Sequence, residues 1–561
     1  MHDQLTRLAI LYGTDKFGYH DYTPNYYRLL RHLQDKPIKL LEIGVGGYAD
    51  ADRGGQSLEV WRDFFPNGEI TGIDIQEKTM DLGPRVRILR GSQVDPDFLK
   101  ELVAQRGPFD VIVDDGSHRN EHVVESYKLL FPTMAPGGVY VAEDVQTSFF
   151  PRFGGSLDLT APNSVGYFGD LMARMNEESD DPLIRDVAAI KRFHNMVALY
   201  KKPMTVDRAS VLSAERLADF EGKGATLAII GDPGFDLTRL PFAPGAHRHC
   251  GWDTPAAAKG ADVILGCLRG DATGPDAATV DALLDGLNDG GILVLHSDQP
   301  KAHLSSSSPL MQHAKRRFTQ VDHVEIVVHF PKAPIDALAG QIYSVERHLD
   351  GLLYLKAPNR YPSNFGYDVN NPQAAAAIAR MGEVLADATT EGGLMAYAGL
   401  LSRHDRPEAA REIILRLSGM NPNSREYFQM AGTLAKEEKR LSDAHAIYTA
   451  ALKEFPLDSQ FSVGLAGILA NQKHPAEAEA VLRASYDHNS RSRAVVAQLA
   501  RMCSVNGKLD EAIELGRKSI NLFPVQARSQ RWTILAGFYD KAGRTDEANA
   551  AREEAARLAE G

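Results

Sequence analysis

The sequence predicts an α/β fold over its first two thirds and an all-α fold over the rest. Three observations carry that reading. Short apolar runs alternate with helical patterns from Leu40 onward, the alternation then repeats at a steady offset, and beyond about residue 390 only helical patterns remain, on a 34-residue grid. Alternating strands and helices build a parallel sheet, whereas helix pairs at a fixed period build a stacked array.

The first series of runs is KLLEIGV, EITGID, FDVIVDD, GGVYVAED and HNMVALYKK. The second is TLAIIGD, ADVILGC, GGILVLHSD, VEIVVHF and LLYLKAP, ending near Pro358. Phe109-Asp110-Val111-Ile112-Val113 matches Ala261-Asp262-Val263-Ile264-Leu265, and Gly137-Gly138 matches Gly290-Gly291. The offset is 152 residues from Asp110 to Asp262 and 153 from Gly138 to Gly291, which reads as an internal duplication. After the loop NRYPSNFGYDVNNPQ, Pro422, Pro456 and Pro524 fall on the 34-residue grid, with Ser490 at the missing point. An acid–alanine pair recurs as Asp443-Ala444, Glu477-Ala478, Glu511-Ala512 and Glu547-Ala548. Alanine lets helices approach closely, and each grid proline is read as opening a helix, where its missing N–H costs nothing. Period and pattern resemble the tetratricopeptide family, which implies a helical solenoid able to hold a protein partner and no chemistry of its own. The expected domains are 1–203, 204–371 and 372–561.

Composition narrows the function classes. The chain has 561 residues, too many for one core, with 43% apolar and 24% charged residues, an ordinary globular mixture. A net charge of −12 argues against a nucleic-acid partner, which needs a basic face. The three cysteines, Cys250, Cys267 and Cys503, form no C-x-x-C pair, so neither a disulfide framework nor a cysteine zinc site is expected. The first residues lack a basic-then-apolar signal pattern and no run of 18 apolar residues exists, so a cytoplasmic protein without a membrane span is expected. Homo-oligomerisation stays open.

Chemistry concentrates in the first series. Leu40 to Gly47 is an apolar strand entering a glycine turn, where backbone can approach a ligand closely, and Ile70 to Asp74 ends in an acid, where nucleotide-binding sheets place a carboxylate on ribose. Ala49 stands where a dinucleotide fingerprint needs its third glycine, which disfavours a dehydrogenase. FDVIVDDGSH ends in Asp114, Asp115 and His118, and GGVYVAEDV ends in Glu143 and Asp144. Ligands of an open parallel sheet sit beyond its strands' carboxyl ends, so both groups should face one crevice. Asp115, Glu143 and Asp144 would repel one another unless a cation joined them, and hard oxygen ligands suit Mg²⁺. His118, three residues past Asp115, could then act as a proton acceptor.

The segment from Leu11 to about Lys202 resembles the metal-dependent macrolide-sugar O-methyltransferases of the mycinamicin and macrocin type. The matching stretches are LYGTDKFGYHDYTPNYYRLL, LLEIGVGGY, GGQSLEVWRDFFPNGEITGIDI, VDDGSH, VYVAEDVQTSFFPRFGGS and SVGYFGDLMARMN. The resemblance implies a Rossmann-like class I methyltransferase domain that moves a methyl group from S-adenosylmethionine to a hydroxyl of a sugar, and the attached tetratricopeptide repeats point to a glycan acceptor such as surface polysaccharide or its nucleotide-sugar precursor. It implies Asp115, Glu143 and Asp144 as Mg²⁺ ligands and His118 as the base, since a sugar hydroxyl is a poor nucleophile until its proton is removed. It further implies cofactor contacts from Tyr12, Thr14 and Lys16 in the entry segment, from Glu42, Gly44 and Gly46 at the methionine end, from Asp74 at the ribose, and from Ser57, Gln93 and Asp114. Ser92 stands where the family writes an acid. Phe149, Phe150, Tyr167 and Phe168 are expected at the acceptor pocket, with plain core packing as the competing reading. Methylation of a non-sugar hydroxyl or catechol, and a non-enzymatic scaffold, stay open as alternatives.

The second series departs from this pattern. TLAIIGDPG keeps one glycine of the turn, Gly266-Cys267-Leu268-Arg269-Gly270 stands in place of the Asp115–His118 stretch, and His296-Ser297 in place of Glu143-Asp144. A degenerate Rossmann-like domain kept for packing or dimerisation is expected there. The segment APNRYPSNFGYD after it resembles the usual tail of the methyltransferase family.

Overall fold

The computed structural model describes residues 3–47, 51–203, 209–242, 246–270, 274–321, 341–357, 374–388, 390–523 and 525–560. The chain forms two compact units, Met1–Arg380 and Met381–Gly561.

Among its described residues the first unit is built on one thirteen-stranded sheet. Its strands are β1 (Lys39–Ile43), β2 (Glu69–Asp74), β3 (Val86–Arg90), β4 (Val111–Asp114), β5 (Val139–Glu143), β6 (Val187–Phe193) and β7 (Met196–Lys201), then β8 (Thr226–Ile230), β9 (Ala246–Cys250), β10 (Val263–Leu268), β11 (Ile292–Ser297), β12 (Ile342–His348) and β13 (Gly351–Lys356). The order across the sheet is β3-β2-β1-β4-β5-β7-β6-β12-β13-β11-β10-β8-β9. Read inward from the far edge, β9-β8-β10-β11-β13-β12 repeats the path β2-β1-β4-β5-β7-β6. Parallel pairs β1–β2, β1–β4 and β4–β5 correspond to β8–β9, β8–β10 and β10–β11, and the antiparallel pairs around β7 correspond to those around β13.

The duplication extends to single hydrogen bonds. The Asp110 carboxylate accepts from the Lys39 N–H at 2.8 Å, and that of Asp262 from the Thr226 N–H at 2.8 Å. The Lys201 ammonium donates to the carbonyls of Pro132 and Met134 at 2.6 and 2.9 Å, and that of Lys356 to those of Asp285 and Leu287 at 2.9 and 2.7 Å. The two aspartates tie the starts of neighbouring parallel strands, and the two lysines cap carbonyls of the helical segment before β5 or β11, so losing either would leave backbone groups unpaired.

The halves meet where β6 and β12 run antiparallel, with Ile190 opposite Arg347, Lys191 opposite Glu346 and Arg192 opposite Val345. Arg192 and Arg347 hold equivalent positions, both fully buried, and each donates to two carbonyls of its own hairpin: Phe193 and Met196, or His348 and Gly351. Lys191 and Glu346 face each other on the local two-fold axis, Nζ to Oε2 at 3.6 Å. Two identical charges there would repel; opposite charges attract. Lys191 also reaches Glu215 at 2.5 Å, and Arg216 donates to Glu346 at 2.9 Å.

This seam explains which strands escaped the sequence reading. The runs found in the sequence match nine strands, whereas β3, β6, β9 and β12 were not foreseen. β6 and β12 are buried at every position, yet carry Lys191, Arg192, Glu346, Arg347 and His348. Such charges break an apolar pattern while partners on the neighbouring strand make their burial tolerable. β3 (VRILR) and β9 (AHRHC) lie at the sheet's two edges, short and interrupted by charged or polar residues. The expected run VEIVVHF lies outside the described residues, as does the family-like tail beyond Ala357.

The second unit is helical throughout its described residues. Glu391–Arg403, Arg425–Glu437, Ser459–Asn471 and Arg493–Val505 begin 34 residues apart (391, 425, 459, 493), and each is followed by a partner helix. Ala444, Ala478, Ala512 and Ala548 are all fully buried, so the alanines mark close helix contact as expected. The grid prolines do something else. Pro422 and Pro456 sit in the turns before the helices, two residues ahead of the caps Ser424 and Asp458, whose side chains accept from Tyr427 N, and from Gln460 N and Phe461 N. A fixed φ suits the turn, and a side-chain oxygen caps better than proline can. Prolines at the first helical position occur instead at Pro407 and Pro475, and Pro524 lies outside the described residues.

Candidate active site

The carboxyl ends of β1, β2, β4 and β5 carry the polar residues singled out above. β1 runs into Gly44, whose φ of +93° is reached at little cost by glycine alone, and a Cβ there would stand 2.1 Å from the Asp115 carbonyl oxygen. The turn therefore lies directly against the end of β4. Asp74, closing β2, accepts from Val45 N at 3.1 Å and Gln76 N at 2.8 Å, which aims its carboxylate at the glycine turn. Its neighbour Ile75 is 61% exposed, an apolar side chain left bare where a flat base could cover it. Ser57 donates to Glu42 Oε2 at 2.8 Å, while the buried Glu42 Oε1 has no hydrogen-bond partner. Burial pushes the Glu42 carboxyl up to about 7, with Lys16 pulling the other way. A close-approach turn, a strand-end acid aimed at it, bare apolar surface and a carboxylate oxygen without a hydrogen bond fit a nucleoside carrying an amino-acid tail.

Next to this turn lies an acidic centre. Asp115, His118 and Asp144 each present one ligand atom within 4.8 Å of the other two. His118 Nε2 is 3.9 Å from Asp115 Oδ1 and 3.7 Å from Asp144 Oδ2. All three side chains are 22–27% exposed, open enough to meet a ligand. Both His118 (φ +55°) and Asp144 (φ +52°) occupy the left-handed region, which costs non-glycine residues energy and persists where surroundings impose it. Here the imposing contacts are visible for Asp144: Tyr22 donates to its Oδ1 at 2.5 Å and Asn195 at 3.0 Å. Burial would raise the Asp144 carboxyl, but His20, His118, Tyr22 and Lys16 outweigh it and hold it at about 2.

Glu143 is engaged differently from its neighbour. Lys16 Nζ donates to both its oxygens at 2.8 Å and to Asp115 Oδ2 at 2.9 Å, lies 3.5 Å from Glu42 Oε1, and Tyr26 donates to Glu143 as well. Burial opposes the Lys16 charge, yet three surrounding carboxylates hold its pKa well above the ordinary lysine value. Burial also pushes Asp115 and Glu143 up, against the pull of Lys16. One ammonium serves Glu42, Asp115 and Glu143, with Asp144 alongside, so acidic groups outnumber their cationic partner here. Half-exposed hard oxygens with such an excess suit a divalent cation that keeps sites for water or substrate.

Other expected residues lie further from this centre. Tyr12 donates to Asp63 and accepts from Arg62 at 2.9 Å, both on the helix Gln56–Phe64, and burial pushes its hydroxyl up to about 12. Thr14 is buried beside Lys16. Asp114 accepts from Tyr140 and Gln93, each at 3.0 Å, and Gln93 also reaches Ser126 and the Ser117 N–H, a buried network beneath the site. Burial pushes Asp114 up to about 6. Phe149 and Phe168 are fully buried and Phe150 nearly so, whereas Tyr167 stays half-buried at the rim of a groove of about 1120 Å³. Tyr22, Tyr26 and Asn195 went unnoticed in the sequence. Tyr22 and Tyr26 are four residues apart around the start of the helix Thr23–Leu30, and that i,i+4 spacing was the one available signal.

With this geometry in place, the likeness to known proteins has a location. A methyltransferase-domain model matches residues 49–145 and a tetratricopeptide-repeat model matches 435–499. Mycinamicin VI 2''-O-methyltransferase of Micromonospora griseorubida is 38% identical over 208 residues, 35% of this chain and 52% of that protein. Demethylmacrocin O-methyltransferase of Streptomyces fradiae is 46% identical over 155 residues, 28% of this chain and 39% of that protein. The mycinamycin-pathway methyltransferase MycE, solved with Mg, SAH and mycinamycin VI, is 38% identical over 36% of this chain and 54% of its own, at a TM-score of 0.34. The chain thus spans about half, or less, of the length of these relatives. Its first unit contains a class I methyltransferase domain related to the macrolide-sugar O-methyltransferases, and its second carries tetratricopeptide repeats.

Proposed function

We propose that the chain transfers a methyl group from S-adenosylmethionine to a sugar hydroxyl with the help of Mg²⁺. The observation that carries this reading is the convergence of Asp115, His118 and Asp144 beside the glycine turn. When bound, the sulfonium supplies an electrophilic methyl group and the cation a Lewis acid for the acceptor hydroxyl. Asp115 and Asp144 would hold the cation first, with Glu143 as the third ligand, since Glu143 is committed to Lys16 and Tyr26. Gly44, Gly46, Glu42 and Asp74 bind and orient the donor, with Tyr12, Thr14, Ser57, Gln93 and Asp114 as supports of that pocket. His118 Nε2, held between two carboxylates, would take the proton of the acceptor hydroxyl, leaving its oxygen free to receive the donor's methyl group.

The repeats recruit or position. Among the described residues their one clustered acid–thiol group, Glu479, Cys503 and Glu511, is already neutralised by Arg483 and Lys508. A protein partner suits them better than chemistry does. No helix among the described residues is long and apolar enough to cross a membrane.

Titration with S-adenosylhomocysteine by calorimetry, followed by transfer of radiolabelled methyl to sugar glycosides with and without EDTA, tests the reading. Binding at one site per chain with EDTA-sensitive transfer is expected. Absence of binding, or transfer indifferent to EDTA, would overturn it.

A further inference from the structure

A groove lined by Phe153, whose ring neighbours His118, is not closed by the first half alone. The Phe153 ring stands edge-on to His118 with centroids 6.4 Å apart, and Phe153 lines the groove of about 1120 Å³. One bank comes from the first half, where Phe153, Leu157 and Tyr167 form an apolar strip and Leu157 is 40% exposed. The opposite bank is the helix Pro309–Gln320 of the second half, which contributes Lys315, Thr319 and Gln320.

That bank is firmly placed. The helix packs on Ser164–Arg174, where a Cβ on Gly169 would lie 3.5 Å from atoms of Lys315, Phe318 and Thr319. Lys315 pairs with Asp170 across the contact, and on the buried side of the same helix Arg317 is anchored to Asp281 at 2.7 Å. The second half therefore fixes three polar side chains opposite an aromatic and aliphatic strip.

The lining selects a ligand class. Three cationic and four acidic side chains are dispersed along the groove, so no concentrated positive field awaits a phosphate group. Apolar surface facing scattered donors and acceptors suits a neutral polyhydroxylated chain, whose C–H faces lie on Tyr167 and Leu157 while its hydroxyls reach the other bank. The volume exceeds the roughly 300–1,000 Å³ of pockets for drug-sized ligands, so there is room for more than one sugar. We propose that the second α/β half serves as a specificity wall: the groove binds a neutral oligosaccharide whose end sugar reaches His118 while the next sugars lie between Tyr167 and Lys315, Thr319 and Gln320. This rests on the reading of the first half as a sugar O-methyltransferase.

The test uses the full chain with Mg²⁺ and two probe sets: methyl glycosides of neutral monosaccharides, and neutral tetrasaccharides of the same sugars. Methyl transfer from labelled donor gives kcat and KM, and calorimetry in S-adenosylhomocysteine gives tetrasaccharide affinity without turnover. At least a tenfold higher kcat/KM for a tetrasaccharide than for its monosaccharide is expected. Thr319→Trp and the milder Lys315→Ala should erase most of that ratio through KM for the tetrasaccharide, and weaken its calorimetric affinity tenfold or more. Lys301→Ala, on the exposed surface of the second half outside the groove, should change neither. Equal efficiency on both probe sets, or a ratio that survives both variants, overturns the wall. Tetrasaccharide binding that Thr319→Trp abolishes, without any methyl transfer by the parent chain, would keep the groove and overturn the chemistry instead.

Discussion

Gly44 and Gly231 hold the same place in the two α/β halves. Each follows the first strand of its half with positive φ, +93° and +80°, and a Cβ on either would meet the carbonyl oxygen of the next parallel strand's end, Asp115 at 2.1 Å or Cys267 at 2.7 Å. What stands in front of them differs. Before Gly44 lie an open turn, Asp74 and the acids at the ends of β4 and β5. Before Gly231 lies the indole of Trp252, with Nε1 3.4 Å from where a Cβ of Gly231 would be and the ring 2.6 Å from that of Gly266. Arg269 reaches across to Asp298 at 3.4 Å, where the first half keeps an acid cluster. The halves thus share residues that hold strands and turns together, Asp110 and Asp262, Lys201 and Lys356, Arg192 and Arg347. They differ where a ligand would sit. Within one molecule this separates what the fold requires from what the chemistry requires.

Asp115 and its counterpart Cys267 should differ most between the two halves. Asp115→Ala should abolish methyl transfer while the chain still binds one S-adenosylhomocysteine, because the donor contacts lie on β1 and β2. Cys267→Ala, buried on the face of the sheet opposite to Trp252, removes one sulfur remote from the acids and should leave turnover within about twofold. Loss of turnover in both variants, or two donor sites per chain, would mean that the second half is catalytic after all. A smaller effect is expected at His118, which has Gly270 as its counterpart. His118→Ala should slow the chemical step by roughly 10²–10⁴ at saturating donor, with donor affinity kept and partial recovery at high pH as hydroxide replaces the imidazole. An unchanged single-turnover rate would assign the proton to another group.

The legibility of the sequence followed the same division. Strands buried by apolar side chains, and the glycine turn and acids of the first half, were readable because periodicity and residue type carry them. β6 and β12 were not, since Lys191, Arg192, Glu346 and Arg347 only make sense as interior residues once their partners on the adjoining strand are known. Lys16 was read as part of a segment closing over the donor, yet its ammonium lies among Glu42, Asp115 and Glu143, a contact spanning about a hundred residues of chain that no local pattern encodes. Tyr22 and Asn195, which hold Asp144, escaped for the same reason.

The seam supplies the mildest test, because it is where the duplicated halves stopped being equal. Burial alone would raise both carboxyls, but Lys191 beside Glu215 holds it at about 2, and Lys191, His348 and Arg216 hold Glu346 well below the ordinary glutamate value. The ordinary glutamate value is about 4.3. A carboxyl depressed in the folded state contributes stability that is fully present above the unfolded value and is lost as pH falls through the folded one. The seam should therefore weaken progressively from about pH 5 down towards pH 2. Glu215→Gln removes one depressed group, so at pH 7 its urea midpoint should lie below the parent's, reflecting the about 1.5–3 kcal/mol lost with a charged hydrogen bond. Towards low pH the two midpoints should converge, since protonation removes in the parent what the substitution removed in the variant. Urea unfolding followed by tryptophan fluorescence reads this out, with Trp61 and Trp252 reporting on opposite halves of the sheet. Parallel curves that keep a constant gap from pH 7 to pH 3 would mean that the Lys191–Glu215 contact contributes packing and no charge stabilisation, and that the seam's opposite charges are incidental to holding the two halves together.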